Sequence, residues 1–336
     1  MAIWQISLMH YTLLRQFSVV RIRLFSSKSC LMKKTSLLVI LVLVAAVLSI
    51  SGCKKMPVEN SARLIFKFRF DSTQARLNNI GQPANLPDGN GAQSPSFNAM
   101  SAHYLELAPT AFTALGSGAV LFRAPETMSG GNMAIDFEKS KFASNNETFL
   151  SIPIKDIAAG EYEWLRLSLA YQNYDIKYYL DTVINTIHIQ EEFPGTIASF
   201  IGYNTYISNY TIKNQNLSVN ANKKQGYWGF ETSVFYSGND YSFTTSGQAP
   251  EGSTTVVNPI FASSPVPQGS CVVTAAFSPG KLKITGKETR DITIEISLSV
   301  NNSFEWNEVI TDGRWEPGKG EQVVDMGIRG MIPKIQ

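Results

Sequence analysis

The chain has 336 residues, is 44% hydrophobic and 17% charged, and carries a formal net charge of +2 with three cysteines and three histidines. Residues 1–52 hold six of the 29 basic residues and none of the 27 acidic ones, so residues 53–336 are net acidic. That balance, with no basic patch, excludes a nucleic-acid partner.

Residues 37–48, LLVILVLVAAVL, are an unbroken apolar run behind Lys33 and Lys34. A bilayer-spanning helix needs about 20 such residues; this shorter run matches the apolar core of a signal peptide over 32–52. Next come Ile50, Ser51, Gly52 and Cys53. This order resembles the lipobox of bacterial lipoproteins, an aliphatic residue and two small residues before the cysteine that receives lipid. The resemblance implies lipidation of Cys53, which makes a membrane the first expected partner. Residues 1–31, with Arg15, Arg21, Arg23 and Lys28 and no acid, read as an upstream extension with translation starting at Met32. Residues 53–61 read as a tether. Cys30 leaves with the leader and Cys53 takes lipid, so Cys271 has no intrachain partner. Within SCVVTAAF it reads as a small buried hydrophobe.

The body, 62–336, opens on ARLIFKFRF (62–70), where Leu64, Phe66, Phe68 and Phe70 alternate with Arg63, Ile65, Lys67 and Arg69. A period of two predicts a half-buried strand. After a polar loop over 71–96, strands are predicted at 101–108, 118–124, 132–138 and 148–154. In 161–172, EYEWLRLSLAYQ, the spacing places Leu165, Leu167, Leu169 and Tyr171 on one face. Further strands are predicted at 183–190, 196–208, 210–220, 225–236, 271–277, 281–287 and 290–300. Many short β-rich runs separated by Gly, Pro and Asn turns indicate an all-β fold, a β-sandwich of immunoglobulin or transthyretin type. The late strands, within 271–300, are expected to complete sheets begun by 62–172. Residues 182–270, with a Ser-, Thr-, Gly- and Pro-rich stretch at 244–270, read as an inserted or added β subdomain or a sheet extension.

Little in the body points to catalysis. His103 and His188 lie in predicted strands, and neither has the i+2 or i+4 partner of a local metal site. DGNG (Asp88–Gly91) is a turn sequence. Carboxylate pairs occur at Asp136 and Glu138, Glu161 and Glu163, Glu191 and Glu192, and Glu305 and Glu308. Their spacing is compatible with two-carboxylate glycoside hydrolysis and equally with solvated strand faces. No pair stands out, no cofactor is implied, and the expectation is a non-enzymatic protein. The aromatics are more informative, because flat rings beside Asn and Gln amides make sugar-binding platforms as well as cores. Trp228 and Tyr227, in the glycine-flanked GYWGF, and Trp315, in the polar DGRWEPGKG, are the candidate ligand-binding residues.

The lipobox before an Asn- and aromatic-rich β body resembles envelope lipoproteins of the Bacteroidetes. DST (71–73) and DTV (181–183) are similar to the O-glycosylation acceptor of that group. Residues 152–173, then QGYWGFE (225–231) and 292–306, resemble in order the strand-turn-strand units of MbnP-like periplasmic β-sandwich proteins. Some of these bind copper, which would fall to His103 and His188 here. Three functions stay open: a binding module for a glycan or envelope protein, a periplasmic copper binder, and a carbohydrate-active hydrolase. Lys54 follows the lipid cysteine where inner-membrane retention uses Asp, and Lys54 and Lys55 invert the acidic tag associated with surface export. The expected location is the outer membrane with the body facing the periplasm, the cell surface being the alternative. The lysines also favour anionic headgroups, at about 1 kcal/mol each.

Overall fold

The computed structural model describes residues 61–78, 80–184, 186–236, 238–249 and 272–336. Cys53 with the signal peptide, and Cys271, lie outside the described residues. About 60% of the described residues are strand and 4% helix, in large antiparallel sheets. No helix among the described residues is long and apolar enough to cross a membrane. In chain order the strands are β1 (Arg63–Asp71), β2 (Asn90–Gln93), β3 (Ser96–Ala108), β4 (Ala119–Arg123), β5 (Glu126–Thr127), β6 (Ala134–Asp136), β7 (Phe142–Ala143), β8 (Thr148–Pro153), β9 (Gly160–Tyr162) and β10 (Trp164–Ile184). There follow β11 (Ile187–Phe200), β12 (Asn204–Thr211), β13 (Asn216–Lys224), β14 (Tyr227–Tyr236), β15 (Asn239–Gln248), β16 (Val272–Ala276), β17 (Leu282–Ile284), β18 (Ile292–Ser299), β19 (Phe304–Asn307), β20 (Val323–Asp325) and β21 (Met331–Ile335).

The alternation in β1 sets one wall of the sandwich. Leu64, Phe66 and Phe68 are fully buried, while Lys67 and Arg69 reach toward solvent. β1 sits centrally in the sheet β21-β18-β1-β8, parallel to β18 and antiparallel to β8. The late strand β18 thus completes a sheet begun by residues 63–71, as the sequence predicts. The facing wall is the first half of β10 with β3 on one edge and β16 on the other. Leu165, Leu167, Leu169, Leu105, Leu107 and Val273 meet Phe66, Phe68, Ile294 and Ile296 in one apolar core.

The facing sheet does not stop at the sandwich. β10 runs for 21 residues. Beyond Ser168 its partner changes from β16 to β11, and the order continues β10-β11-β14-β15. Residues 187–248 are therefore largely a continuation of the same eight-stranded sheet, which curls into a half-barrel. Asn60–Gln336 forms one compact unit. The loop over 71–96 is not structureless: β2 lies within it and pairs with β19. Gly89, in the DGNG turn, supplies the positive φ of 83° that feeds β2.

One expectation about β10 fails. Leu165, Leu167 and Leu169 face the sandwich core, but Tyr171 does not share their face. The β3–β10 register shifts between Ser168 and Leu169, between Leu169 and Tyr171, and between Asn173 and Tyr174. Side chains alternate with a period of two, so an odd slip exchanges the faces of everything downstream. Past the shifts, Tyr174, Ile176 and Tyr178 take the inner face, and Phe97 packs against both the sandwich core and this second core. Tyr171 joins Phe200, Tyr210 and Tyr227 on the outer face.

A buried ionic cluster ties the 72–96 loop to the C-terminal segment. Glu305 pairs with Arg329 at 2.5 Å and with Arg76 at 2.7 Å, and accepts a hydrogen bond from Asn90 at 3.0 Å. Arg329 also pairs with Asp325 at 3.0 Å. Burial depresses the Arg329 guanidinium, but Asp325 and Glu305 outweigh it and hold it above its ordinary value. Breaking such a pair leaves buried charges uncompensated. Arg329→Ala should therefore cost about 3–5 kcal/mol in urea denaturation, against under about 0.5 kcal/mol for the exposed Lys177→Ala. Equal unfolding midpoints for the two variants would contradict the assignment.

Candidate ligand-binding groove

The inner face of the curled sheet bears an apolar groove of about 540 Å³. Strand register builds it directly. Tyr178 on β10 pairs with Phe193 on β11, Ile197 with Phe230 on β14, and Thr232 and Val234 on β14 with Phe243 and Tyr241 on β15. The segment between β19 and β20 closes one side with Trp315 and Pro317. An adjoining cavity of about 370 Å³ shares Trp228, Phe230, Trp315 and Pro317 and reaches Gln248 and Gln322. Both volumes lie within the span of about 300–1,000 Å³ usual for small-ligand sites.

Two of the aromatic candidates read from the sequence meet here. Trp228 and Trp315, far apart in the chain, line the same groove. Tyr227 does not: as the neighbour of Trp228 on a strand it faces the opposite side, buried beside Phe200 and Tyr210 with the Lys223 ammonium 4.6 Å from its ring. Trp228 owes its pose to Gly247, its register partner on β15. A Cβ at Gly247 would fall 2.7 Å from the indole, so only glycine lets the ring lie across that strand.

The rings are held edge to face. Phe230 stands at 90° to Trp315 with centroids 6.1 Å apart, and at 84° to Tyr178 at 5.5 Å. Phe304, fully buried, supports Trp315 from beneath at 5.0 Å and 74°. These arrangements suit the ring quadrupole and fix the groove's shape. The remaining wall is nonetheless open to solvent, with Phe243 59% exposed.

The Trp315 segment is tied at many points. Its carbonyl accepts the Tyr179 amide at 2.8 Å, and its indole Nε1 donates to the Glu321 carbonyl at 3.3 Å. The Glu321 carboxylate accepts the amides of Val309, Ile310 and Glu316 at 3.1, 3.2 and 2.6 Å. The Arg314 guanidinium sits 4.8 Å from the Tyr179 ring. At the tip, Lys319 Nζ donates to Asp181 at 2.7 Å, and His188 bonds the other Asp181 oxygen at 2.7 Å. The bonds from Lys319, then His188, pull the Asp181 carboxyl down to about 2. Burial pushes the Glu316 carboxyl up, helped by Asp312 and Glu321.

The two histidines are not brought together. His188 serves the Asp181 cluster. His103 on β3 bonds Glu126 at 3.0 Å, beside Tyr203, whose hydroxyl donates to the same carboxylate at 3.1 Å. Burial holds the His103 imidazole below its usual range despite Glu126. Among the described residues no group of three or more His, Cys, Asp or Glu could hold a metal ion.

In each of the four carboxylate pairs at least one member is bound in the structure, Glu192 by Lys177. Asp136 binds Lys139, Glu161 binds Lys283, Glu163 binds Lys281, and Glu308 accepts the Gly313 amide. Phe193, Tyr241 and Phe243 were not singled out in the sequence. The alternation Tyr241-Phe243-Thr245 after the Gly238 turn, opposite Phe230-Thr232-Val234, is the signal that finds them. Comparison with protein-family models, curated proteins and solved structures finds no match.

The Lys319–Asp181 contact gives a pH prediction. Asp181 has a folded-state pKa below its ordinary 3.8, so its contribution to stability is complete above about pH 4. It is lost as pH falls toward about 2. The melting-temperature gap between the wild type and Asp181→Asn should shrink as the pH falls from about 4 toward about 2. A gap that stays undiminished over that range would refute the linkage.

Proposed function

We propose that the protein is a non-enzymatic binding module of the bacterial envelope, held by lipid on Cys53 at the periplasmic face of the outer membrane. Its ligand is an apolar, chain-like molecule such as an acyl chain, taken into the groove at Trp228 and Trp315. The observation that carries this reading is the convergence of those two residues with Tyr178, Phe193, Phe230 and Phe243 on one solvent-open concavity. Apolar surface left in water costs about 25 cal/mol per Å², and a contiguous aromatic hollow at the surface marks a binding site.

The lining favours hydrocarbon over sugar at this position. Its polar groups are the hydroxyls of Thr182, Thr232, Ser242 and Thr245 with the tyrosines. Thr232 already donates to the Pro194 carbonyl and contacts the Tyr178 hydroxyl. Sugar hydroxyls would find few free partners, whereas each buried methylene of a chain contributes about 0.8 kcal/mol. The copper and hydrolase alternatives draw less support, since His103 and His188 serve separate carboxylates and each acidic pair has at least one member held by a lysine, arginine or backbone amide.

Titrating dansyl-undecanoic acid into the body, residues 60–336, should give saturable one-to-one binding with a rise in dansyl emission. Trp228→Ala and Gly247→Val should each weaken it at least about tenfold, or 1.4 kcal/mol. Non-saturable partitioning, or equal affinity in both variants, would discard the groove as the site.

A further inference from the structure

The outer face of the curled sheet carries a second concavity of different chemistry, about 480 Å³ in volume, at Phe142, Phe137, Tyr171 and the end of β12. We propose that it is a saccharide-binding platform for an uncharged oligosaccharide. It rests on other residues and the opposite face from the groove, so either reading can fail without the other.

The aromatic part is built to hold one ring at the surface. Phe142 lies on β7, a two-residue strand that pairs with Ser101 of β3. Its side chain belongs to an exposed residue, at 41%, yet it is not loose. It stands at 79° to Phe137 with centroids 5.6 Å apart, and at 84° to Tyr171 at 5.5 Å. Both neighbours pack in turn on Phe200, which is fully buried, at 4.9 and 5.0 Å. A cluster anchored in the sheet therefore fixes the orientation of an exposed ring. An aromatic ring presents a negative face, which attracts the polarised C–H groups on the flat side of a sugar.

The polar part is preorganised as well. Asn209 and Thr211, both exposed on β12, line the hollow with Ser208 and Glu138. The Asn216 amide, across the hairpin on β13, donates to Asn209 Oδ1 and to Thr211 Oγ1, each at 3.2 Å. That bridge uses the acceptor side of both groups, so the Asn209 amide and the Thr211 hydroxyl keep donor capacity, the Asn209 amide's own contact to Ser208 being long at 3.4 Å. The turn between the two strands is itself pinned, because the buried Glu231 carboxylate of β14 accepts the amides of Lys213, Asn214 and Gln215 at 2.9–3.1 Å. Glu138 adds an exposed acceptor, and among the described residues no lysine or arginine lines the hollow. The set of one fixed ring, amide and hydroxyl donors and a carboxylate acceptor matches a neutral polyol with an apolar face. The carboxylate and the absence of a lining cation disfavour a phosphate or sulfate ligand, and the polar rim disfavours a hydrocarbon.

The test uses the full chain in lipid nanodiscs with cellotriose, maltotriose and N-acetylchitotriose as probes, read by saturation-transfer NMR and calorimetry. At least one probe should show transfer to its ring C–H protons and a measurable heat. Phe142→Ala should lower that affinity at least about tenfold, as expected for an aromatic anchor, and Asn209→Ala should lower it too. Trp228→Ala should leave it unchanged. Circular dichroism identical to wild type establishes that the variants fold. Absence of binding by all three probes, or binding unaffected by both Phe142→Ala and Asn209→Ala, would overturn the proposal.

Discussion

The backbone ladder of β10 is the constraint on which the rest of the molecule depends. This 21-residue strand bonds to β3 along one edge as far as Asp175, and to β16, then β11, along the other. Strands in globular proteins usually run 3–10 residues, because a longer one outreaches the core it covers. Here the first half of β10 covers the sandwich core and the second half carries β11, β14 and β15 away from it. The extension needs a core of its own, and the Phe304, Trp306 and Trp315 segment supplies it from the C-terminal part of the chain.

The register shifts in β10 give the extension two unlike faces. A strand without them would have kept Tyr171 in line with Leu165, Leu167 and Leu169 and put Tyr178 on the outside. With them, Tyr174, Ile176 and Tyr178 turn inward and build the apolar groove, while Tyr171 and Asn173 turn outward beside the polar end of β12. The same alternation separates Trp228 from Tyr227 and Phe230 from Glu231. Two surfaces of opposed chemistry thus follow from one period of two and the register shifts between Ser168 and Tyr174.

Ion pairs hold the irregular parts where strands cannot. Glu305 with Arg76 and Arg329 fixes the segments around β2 and β19, and Glu321 with its three amides shapes the Trp315 segment. Arg166 and Glu106, both fully buried, do the same for residues 109–118, since Glu106 accepts the amides of Gly116 and Gly118 while Arg166 donates to the Ala111 carbonyl. Such buried charges add little net stability over an apolar replacement. Their effect is on geometry: Glu321 and Glu106 gather backbone amides that the loops would otherwise leave without partners, and Glu305 gathers side chains from three separate segments.

Much of the fold was legible in the sequence. Leu64, Phe66 and Phe68 alternate with charged residues, and that period alone dictates a half-buried strand. The Gly-, Pro- and Asn-punctuated β runs dictated an all-β chain, and the polar setting of Trp315 and the glycines around Trp228 singled out two indoles that the fold brings to one groove. The grouping of Tyr227 with them failed because adjacent residues on a strand must part, which a composition-based reading overlooks. Long-range pairing was not legible at all. No local pattern says that β16 joins the edge of β10, that β18 runs parallel beside β1, or that Trp315 returns to stand against Phe230. Those contacts join residues far apart in the chain, and they are selected by the fit of whole faces against one another. The sequence by itself determined which segments are strands and which side chains seek burial. Only the tertiary structure decided which faces meet, because the slip in β10 that assigns every later side chain to its face arises from pairing with β3.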